Sequence, residues 1–339
     1  MEASQVAGEI LLSSVTEKIA VARILELNGF GGRTSGELMA LGAATEIGSL
    51  MFGSITKQLR EVAASLLAGE DPAITVEIAL GDADAVRAGL ACGGLARVGL
   101  SKIDGLLSGA LAEIAARSVV AIATDLDSSV AKVLGYCCAA SPPVLAEGSG
   151  LPGAVHDSLA LALRKMADTR RAGSWSLDVA DRAIHIEVYS PASRCLVIGS
   201  SELASAIAKQ FELLGVATSV CDTLEEARSI TAQFACNDAV VLLTHDHEIG
   251  VPLFSALLKR PGIYLGALGS RHTQEVRRDA LLKLGHGVTE VDRIYGPVGL
   301  DLGAKTPSET AVAIAAEFLA HRADRSASNL RSTRGSING

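Results

Sequence analysis

Two stretches in the C-terminal half of this 339-residue chain hold residues able to bind an anion. Ile263 to Leu268 reads as an apolar strand, and Gly269-Ser270-Arg271 breaks it before a helix that opens at about Thr273. A strand that ends in Gly-Ser and starts a helix leaves backbone N–H groups facing a crevice, and an anion fits there. Arg271 adds a planar fork of donors suited to phosphate. The second stretch, Gly296-Pro297-Val298-Gly299-Leu300-Asp301-Leu302-Gly303, has three glycines in a short span and is followed by Lys305. Such a run turns tightly or lies close to a ligand. Thr306-Pro307-Ser308-Glu309 is then a helix start, with Thr306 as N-cap, Pro307 at the first helical position and Glu309 closing a capping box. Ala311, Ile314, Ala315 and Phe318 give that helix its apolar stripe.

Three further groups have types and spacing that bear on chemistry. Gly199-Ser200-Ser201 follows the apolar run Cys195 to Ile198, where a dinucleotide fold has its glycine-rich turn, and Asp222 ends the next strand, where an acid would meet a ribose hydroxyl. Only the first glycine of GxGxxG is present. Ser201 and Ala204 stand at the other two places, which weakens the case for NAD(P). Thr244-His245-Asp246-His247-Glu248 follows the third strand of this half. His245 and His247 are too few for a metal site by themselves. They suit a phosphate or an oxo-metal oxygen, or they cap the ends of neighbouring elements. Cys92 precedes two glycines, which reads either as a reachable thiol or as a buried one beside a tight turn.

The elements that must carry these groups follow from periodicity. From Arg194 onward, short apolar runs alternate with helical stretches: strands at 195–198, 216–221, 239–243 and 263–268, helices at about 202–214, 224–234 and 251–259. That alternation predicts a parallel sheet with helices on both faces and the loops 199–201, 244–248 and 269–271 at one end of it. In the N-terminal half, residues 1 to 28 read as one helix, with Val15, Ile19, Val21, Ile24 and Leu25 on a face. Helical spacing also marks Ile55 to Ala68, and strand spacing marks Ile74 to Ile78 and Ala183 to Tyr189. Gly48, Ser49, Gly53 and Leu59 recur as Gly148, Ser149, Gly153 and Leu159, which predicts two similar strand–loop–helix units. The fold expected is α/β: an N-terminal mixed α/β domain over 1–190, a C-terminal Rossmann-like doubly wound parallel sheet over 191–322, and a disordered tail over 323–339.

Composition bounds the rest. The chain is 49% hydrophobic but only 3% aromatic, so its core is built from Ala, Leu, Val and Ile. A net charge of -8 argues against a general nucleic-acid binder. The start MEASQVAGEI lacks the features of a signal peptide, and no apolar run reaches the ~18 residues of a membrane span. A cytoplasmic protein is expected. Its six cysteines form neither a CxxC pair nor a dense disulfide framework, and Cys195 and Cys221 fall in strands as small hydrophobes.

The motifs GSRHT and GPVGLDLGAKTPSETAVAIAAE, in that order, resemble the C-terminal signature of the XdhC/CoxI family, maturation factors for molybdenum hydroxylases such as xanthine dehydrogenase and carbon monoxide dehydrogenase. Residues 34 to 100 resemble that family's N-terminal domain through Gly36, Met39, the run GSLMFGS at 48–54 and Cys92-Gly93-Gly94. The resemblance implies an accessory protein rather than a metabolic enzyme: one that binds molybdenum cofactor, assists exchange of an oxo for a sulfido ligand and hands the cofactor to an apo-hydroxylase. It implies a cysteine desulfurase as sulfur donor; a homodimer is expected as well, since the Ala-rich helices offer surfaces for self-association. The cofactor would meet Cys92, Gly199, Ser200, Ser201, Asp222, His245, Asp246, His247, Gly269, Ser270, Arg271, Gly299, Asp301 and Lys305, its pterin phosphate lying at 269–271. The chain departs from the family pattern in two places. Ser54 stands where members carry a second cysteine, and Arg33 alone remains of a Pro-Arg pair. Serine is a far poorer soft-metal ligand than thiolate. Two other readings stay open: an NAD(P)-linked oxidoreductase on the C-terminal sheet, and a non-catalytic assembly scaffold for the hydroxylase.

Overall fold

The computed structural model describes residues 2–29, 36–87, 89–90, 92–126, 132–138, 141–146, 153–168, 172–178, 182–244 and 246–332. The chain divides into two compact units, Met1–Pro191 and Ala192–Gly339.

The first unit is the same motif used twice. Its first copy runs α1 (Ala3–Ser13), β1 (Ala20–Gly29), β2 (Leu38–Leu41), β3 (Glu46–Gly48), α2 (Thr56–Ala68), β4 (Ala73–Leu80), α3 (Asp82–Arg87) and β5 (Gly94–Lys102). The second runs α4 (Gly105–Ala115), β6 (Val120–Asp125), β7 (Val133–Cys138), β8 (Val144–Leu145), α5 (Gly153–Asp168), β9 (Gly173–Asp178) and β10 (Ala183–Tyr189). Each copy forms a five-stranded antiparallel sheet, β3-β2-β1-β5-β4 and β8-β7-β6-β10-β9, so strand order repeats, and element order does too apart from α3 in the first copy. The echo at an offset of 100 has this origin. Leu59 and Leu159 are both fully buried, on α2 and α5. Gly148 and Ser149 lie outside the described residues.

Residues 1 to 28 are not one helix. The helix stops at Ser13, where the Ser14 hydroxyl donates to Leu11 O at 2.7 Å, and Ala20–Leu25 lies in a central strand buried on both faces. A continuous apolar run fits either period, which is why spacing alone misassigns it. The strand's alternation sorts its side chains. Ala20, Ala22 and Ile24 pack under α2, while Val21 joins the core shared by α1, α4 and the second sheet. Arg23 follows Val21 on that face, fully buried, and its guanidinium pairs with Glu187 on β10 and donates to Thr124 Oγ1 on β6 at 3.1 Å. Tyr189 Oη donates to the other Glu187 oxygen at 2.9 Å. The two copies are therefore joined by a buried ion pair with further hydrogen bonds to both partners, the condition under which such a pair is tolerated.

The second unit runs β11 (Arg194–Ile198), α6 (Glu202–Leu213), β12 (Ala217–Cys221), α7 (Leu224–Thr231), β13 (Ala239–Leu242), α8 (His247–Leu258), β14 (Tyr264–Ala267), α9 (Arg271–Lys283), α10 (Val288–Val291), β15 (Ile294–Tyr295) and α11 (Pro307–Arg322). Its sheet is parallel, in the order β12-β11-β13-β14-β15. Leu196, Ile198, Val240 and Leu242 face a core with α7, α8 and α9, while Cys195, Val197 and Val241 face α6 and α11. Alternate residues thus fill two apolar faces, the doubly wound arrangement expected for strands that are apolar throughout. Past α11, Leu330–Ser332 forms one 3-10 turn, and the last part of the expected tail, 333–339, lies outside the described residues.

Candidate functional site

Strand order in the second unit reverses between β11 and β13. In open α/β sheets the crevice at such a switch point, beyond the strand C-termini, is where ligands bind. The turns after β11, β13 and β14 all leave that edge, and backbone bonds stitch them in sequence: Leu243 N–H to Ile198 O at 2.8 Å, Leu268 N–H to Leu242 O at 2.8 Å, and Val298 N–H to Ala267 O at 3.0 Å. The convergence expected from the sequence is present among the described residues of these loops. His245 lies outside them.

Hydrogen bonding within the turns decides what they can offer a ligand. Gly199 N–H donates to Cys221 O at 2.9 Å, and Ser200 N–H donates to Asp222 Oδ1 at 2.7 Å. Asp222 therefore turns back on the glycine-rich turn and takes an N–H that a pyrophosphate would need. Ser201 Oγ caps α6 by accepting from Ala204 N–H at 3.1 Å. Asp246 caps α8, accepting from Glu248 N–H at 2.8 Å, and this helix starts at His247, four residues earlier than its periodicity predicts. His247 is exposed in its first turn. Ser270 caps α9 through Thr273 N–H at 3.2 Å, and Arg271 is exposed as the first residue of that helix.

The glycine-rich loop before α11 is held from below. Glu317 Oε2 accepts from Tyr264 Oη at 2.6 Å and from Gly299 N–H at 3.0 Å. A Cβ at Gly299 would lie 3.4 Å from Ala313 and Ile314, and its φ of +105° is one that side chains rarely adopt. Gly299 is thereby explained by packing on α11, and its N–H is committed. Asp301 and Lys305 are exposed, and Lys305 N–H donates to Glu309 Oε2 at 2.7 Å. The capping box at Thr306 and Glu309 forms as expected. Burial and Glu317 together push the Tyr264 hydroxyl far above the usual range, so it stays a donor.

Two side chains that position this edge are not among the site residues expected from the sequence. Glu317 is one. Gln274 is the other: its Nε2 donates to Ala267 O at 3.1 Å and Gly269 O at 3.4 Å, and its Oε1 accepts from Arg277. Gln274 sits among ordinary polar residues of α9 with no local signal, whereas Glu317 is a lone acid between Ala316 and Phe318 at the end of the motif that begins at Gly296.

Cys92 belongs to the first unit and is half-buried, just before β5. A Cβ on the neighbouring Gly93 would lie 2.3 Å from Leu80 O, so the glycine is required by close approach of the backbones. Gly93 N–H donates to Asp82 Oδ1 at 2.8 Å. The run at 48–54 holds a left-handed turn on non-glycine residues: Met51 and Phe52 have φ of +51° and +55°. Met51 N–H donates to Glu37 at 2.7 Å, and Ser54 Oγ donates to Met51 O at 2.8 Å. Arg33 lies outside the described residues. No group of three or more His, Cys, Asp or Glu side chains able to hold a metal occurs among the described residues. None of the helices formed by those residues is long and apolar enough to cross a membrane.

Residues 195–318 match the XdhC Rossmann domain. Over 134 residues the chain is 31% identical to the molybdenum cofactor insertion chaperone PaoD of Escherichia coli K12, a stretch covering 40% of this chain and 42% of that protein. Over 90 residues it is 32% identical to a probable xanthine dehydrogenase subunit from Bacillus subtilis 168, covering 26% of this chain and 25% of that one. The matches thus span less than half the length of these curated relatives. A crystal structure of a xanthine dehydrogenase from Bacillus halodurans shares the fold with a TM-score of 0.55 at 21% identity, over 98% of this chain and 99% of that one. Residues 195–318, within the C-terminal unit, are an XdhC Rossmann domain.

Proposed function

We propose that the chain carries molybdenum cofactor as cargo, assists its sulfuration, and delivers it to a molybdenum hydroxylase of the xanthine or carbon monoxide dehydrogenase type. The observation that carries this reading is the XdhC Rossmann domain itself, whose switch-point edge gathers the turns 199–201 and 269–271 and the start of α8. The kinship with a protein named as a molybdenum cofactor insertion chaperone supports it. On this reading the pterin phosphate lies by the start of α9 with Arg271, and the exposed His247 and Lys305 face the same cargo; in the first unit, Cys92 is the candidate thiol for molybdenum. A cysteine desulfurase supplies the sulfur, and the working form is a homodimer.

The residues present fit an anionic cargo better than a two-thiolate grip on the metal. Arg271 is an exposed bidentate donor, whereas Ser54 holds the place of the second thiol and commits its hydroxyl to Met51 O. That substitution favours, as a second reading, an assembly scaffold that binds the hydroxylase without handling the metal. A nicotinamide oxidoreductase is disfavoured by the Ser200–Asp222 contact at the glycine-rich turn.

The test is reconstitution. An apo-hydroxylase incubated with cofactor, a desulfurase and this chain should recover more activity than without the chain. Equal recovery, with the chain still co-purifying with the hydroxylase, would replace the cargo reading by the scaffold reading. Equal recovery without co-purification would remove both.

A further inference from the structure

Arg277 is 2% exposed in the second unit, yet among the described residues no carboxylate pairs with it. Its Nη1 donates to Gln274 Oε1, its guanidinium carbon lies 6.0 Å from the centre of the Phe254 ring, and its buried Nε has no hydrogen-bond partner among those residues. Arginine does not shed its proton in proteins, so this is a buried cation with an unfilled donor. Such a group is costly; its Nε is sealed beside Gly250 of α8, so an anion in the groove would meet Arg277 through the Nη groups. It lines a groove of about 400 Å³ between α9 and the segment 291–297, together with Arg271, Gln274, Arg278 and the Gly296-Pro297 backbone. The acids there are Glu275 and Asp292, and Asp292 is already paired with Arg278. The groove thus sets three guanidinium groups against two carboxylates, with one end of Arg278 held by Asp292.

We infer that this groove is a binding site for a phosphate-class anion, a free phosphate or the phosphoryl group of a larger molecule, anchored by Arg277 and closed by Arg271 and Arg278. The site runs along α9 from its first residue and shares Arg271 with the cargo reading; Arg277 and Arg278 belong to this groove alone. Three arginines on one helix wall present donors in the planar geometry that oxyanions accept. Gln274 sets the floor: anchored to Ala267 O and Gly269 O, it turns its Oε1 to Arg277 and holds that side chain in place. Because the cargo reading also uses Arg271, Arg278→Gln, which that reading does not involve, separates the failure of this inference from the failure of that one.

The full chain is titrated with sodium phosphate and, at matched ionic strength, with sodium chloride, and binding heat and thermal midpoint are followed. Saturable binding of phosphate over chloride is expected, weakened about tenfold in Arg271→Gln and in Arg278→Gln and lost in Arg277→Met, because each removes one charge-assisted contact. Arg87→Gln in the first unit should leave binding unchanged. If Arg277→Met does not fold by circular dichroism, the other two variants decide. A ribonucleoside monophosphate that binds at least tenfold tighter than phosphate would assign the site to a larger phosphomonoester, and equal affinity would assign it to free phosphate. Indistinguishable responses to phosphate and chloride, or undiminished affinity in both Arg271→Gln and Arg278→Gln, would overturn the inference.

Discussion

Ser200 N–H donates to Asp222 Oδ1 at 2.7 Å, a bond that occupies both groups at the glycine-rich turn. The carboxylate that would meet a ribose hydroxyl instead closes the glycine-rich turn. Asp222→Ala should therefore cost about 1 kcal/mol of stability, the net value of one exposed hydrogen bond, and should change nothing in the response to nicotinamide. Thermal midpoints with and without NAD(H) and NADP(H) check this. Nicotinamide-dependent stabilisation that disappears in Asp222→Ala would restore the oxidoreductase reading.

The pair Arg23–Glu187 joins the two copies of the first unit with neither side chain in contact with water. Arg23→Met leaves a buried carboxylate uncompensated and should cost roughly 3–5 kcal/mol, whereas Arg23→Met with Glu187→Leu should cost much less. Trp175, the chain's one tryptophan, lies on β9 of this unit, so urea unfolding read by its fluorescence isolates the effect. A double variant no better than the single would show that packing, not charge, sets the cost.

His185 lies beside this pair, and burial, followed by Arg23 and Arg97, pushes its pKa down to about 3. The unfolded chain takes up that proton near pH ~6.5. Between those values the unfolded state binds more protons, so stability falls as pH drops from about 6.5 toward 3. The slope of about 1.4 kcal/mol per pH unit gives up to roughly 2 kcal/mol between about pH 6.5 and 5. His185→Phe should flatten this dependence in the Trp175 signal. Parallel curves for the two proteins would contradict the assignment.

The turn at 51–53 holds Met51 and Phe52 at left-handed φ, a conformation costing about 1–2 kcal/mol per non-glycine residue. Phe52→Gly should not destabilise the first unit, although it removes a large apolar side chain, because that side chain is 62% exposed. Ser54→Cys puts a thiol beside this turn and should raise molybdenum retention. Unchanged retention would mean that the metal end of the cargo is held elsewhere.

The alternating half of the fold is legible in the sequence because each strand of the second unit is apolar along most of its length and its longer helices have cap residues in place: Ser201, Thr223, Asp246, Ser270 and Thr306 all cap their helices. The repeat is legible only as an echo, since strand order leaves no trace in composition. The strand at Ala20–Gly29 is hidden because burial on both faces removes the alternation that marks a strand. In the site, turn-forming residues such as Gly269 and Ser270 follow from turn chemistry. Asp222 and Gly299 look like ligand groups in the sequence, yet their hydrogen bonds join them to Ser200 and Glu317, partners at a sequence distance that local pattern does not carry. Arg277 and Gln274 are silent in the sequence for the same reason: burial, not residue type, gives them their meaning.

Binding of molybdenum cofactor on the C-terminal crevice is tested most directly by retention. The purified protein is mixed with cofactor, bound is separated from free by gel filtration, and molybdenum and pterin are counted per chain, beside Arg271→Ala and Cys92→Ala. Near-stoichiometric retention by the unaltered chain, lost in Arg271→Ala, is the predicted result. No retention by the unaltered chain, under conditions where a two-cysteine member of the family retains its cofactor, would contradict it.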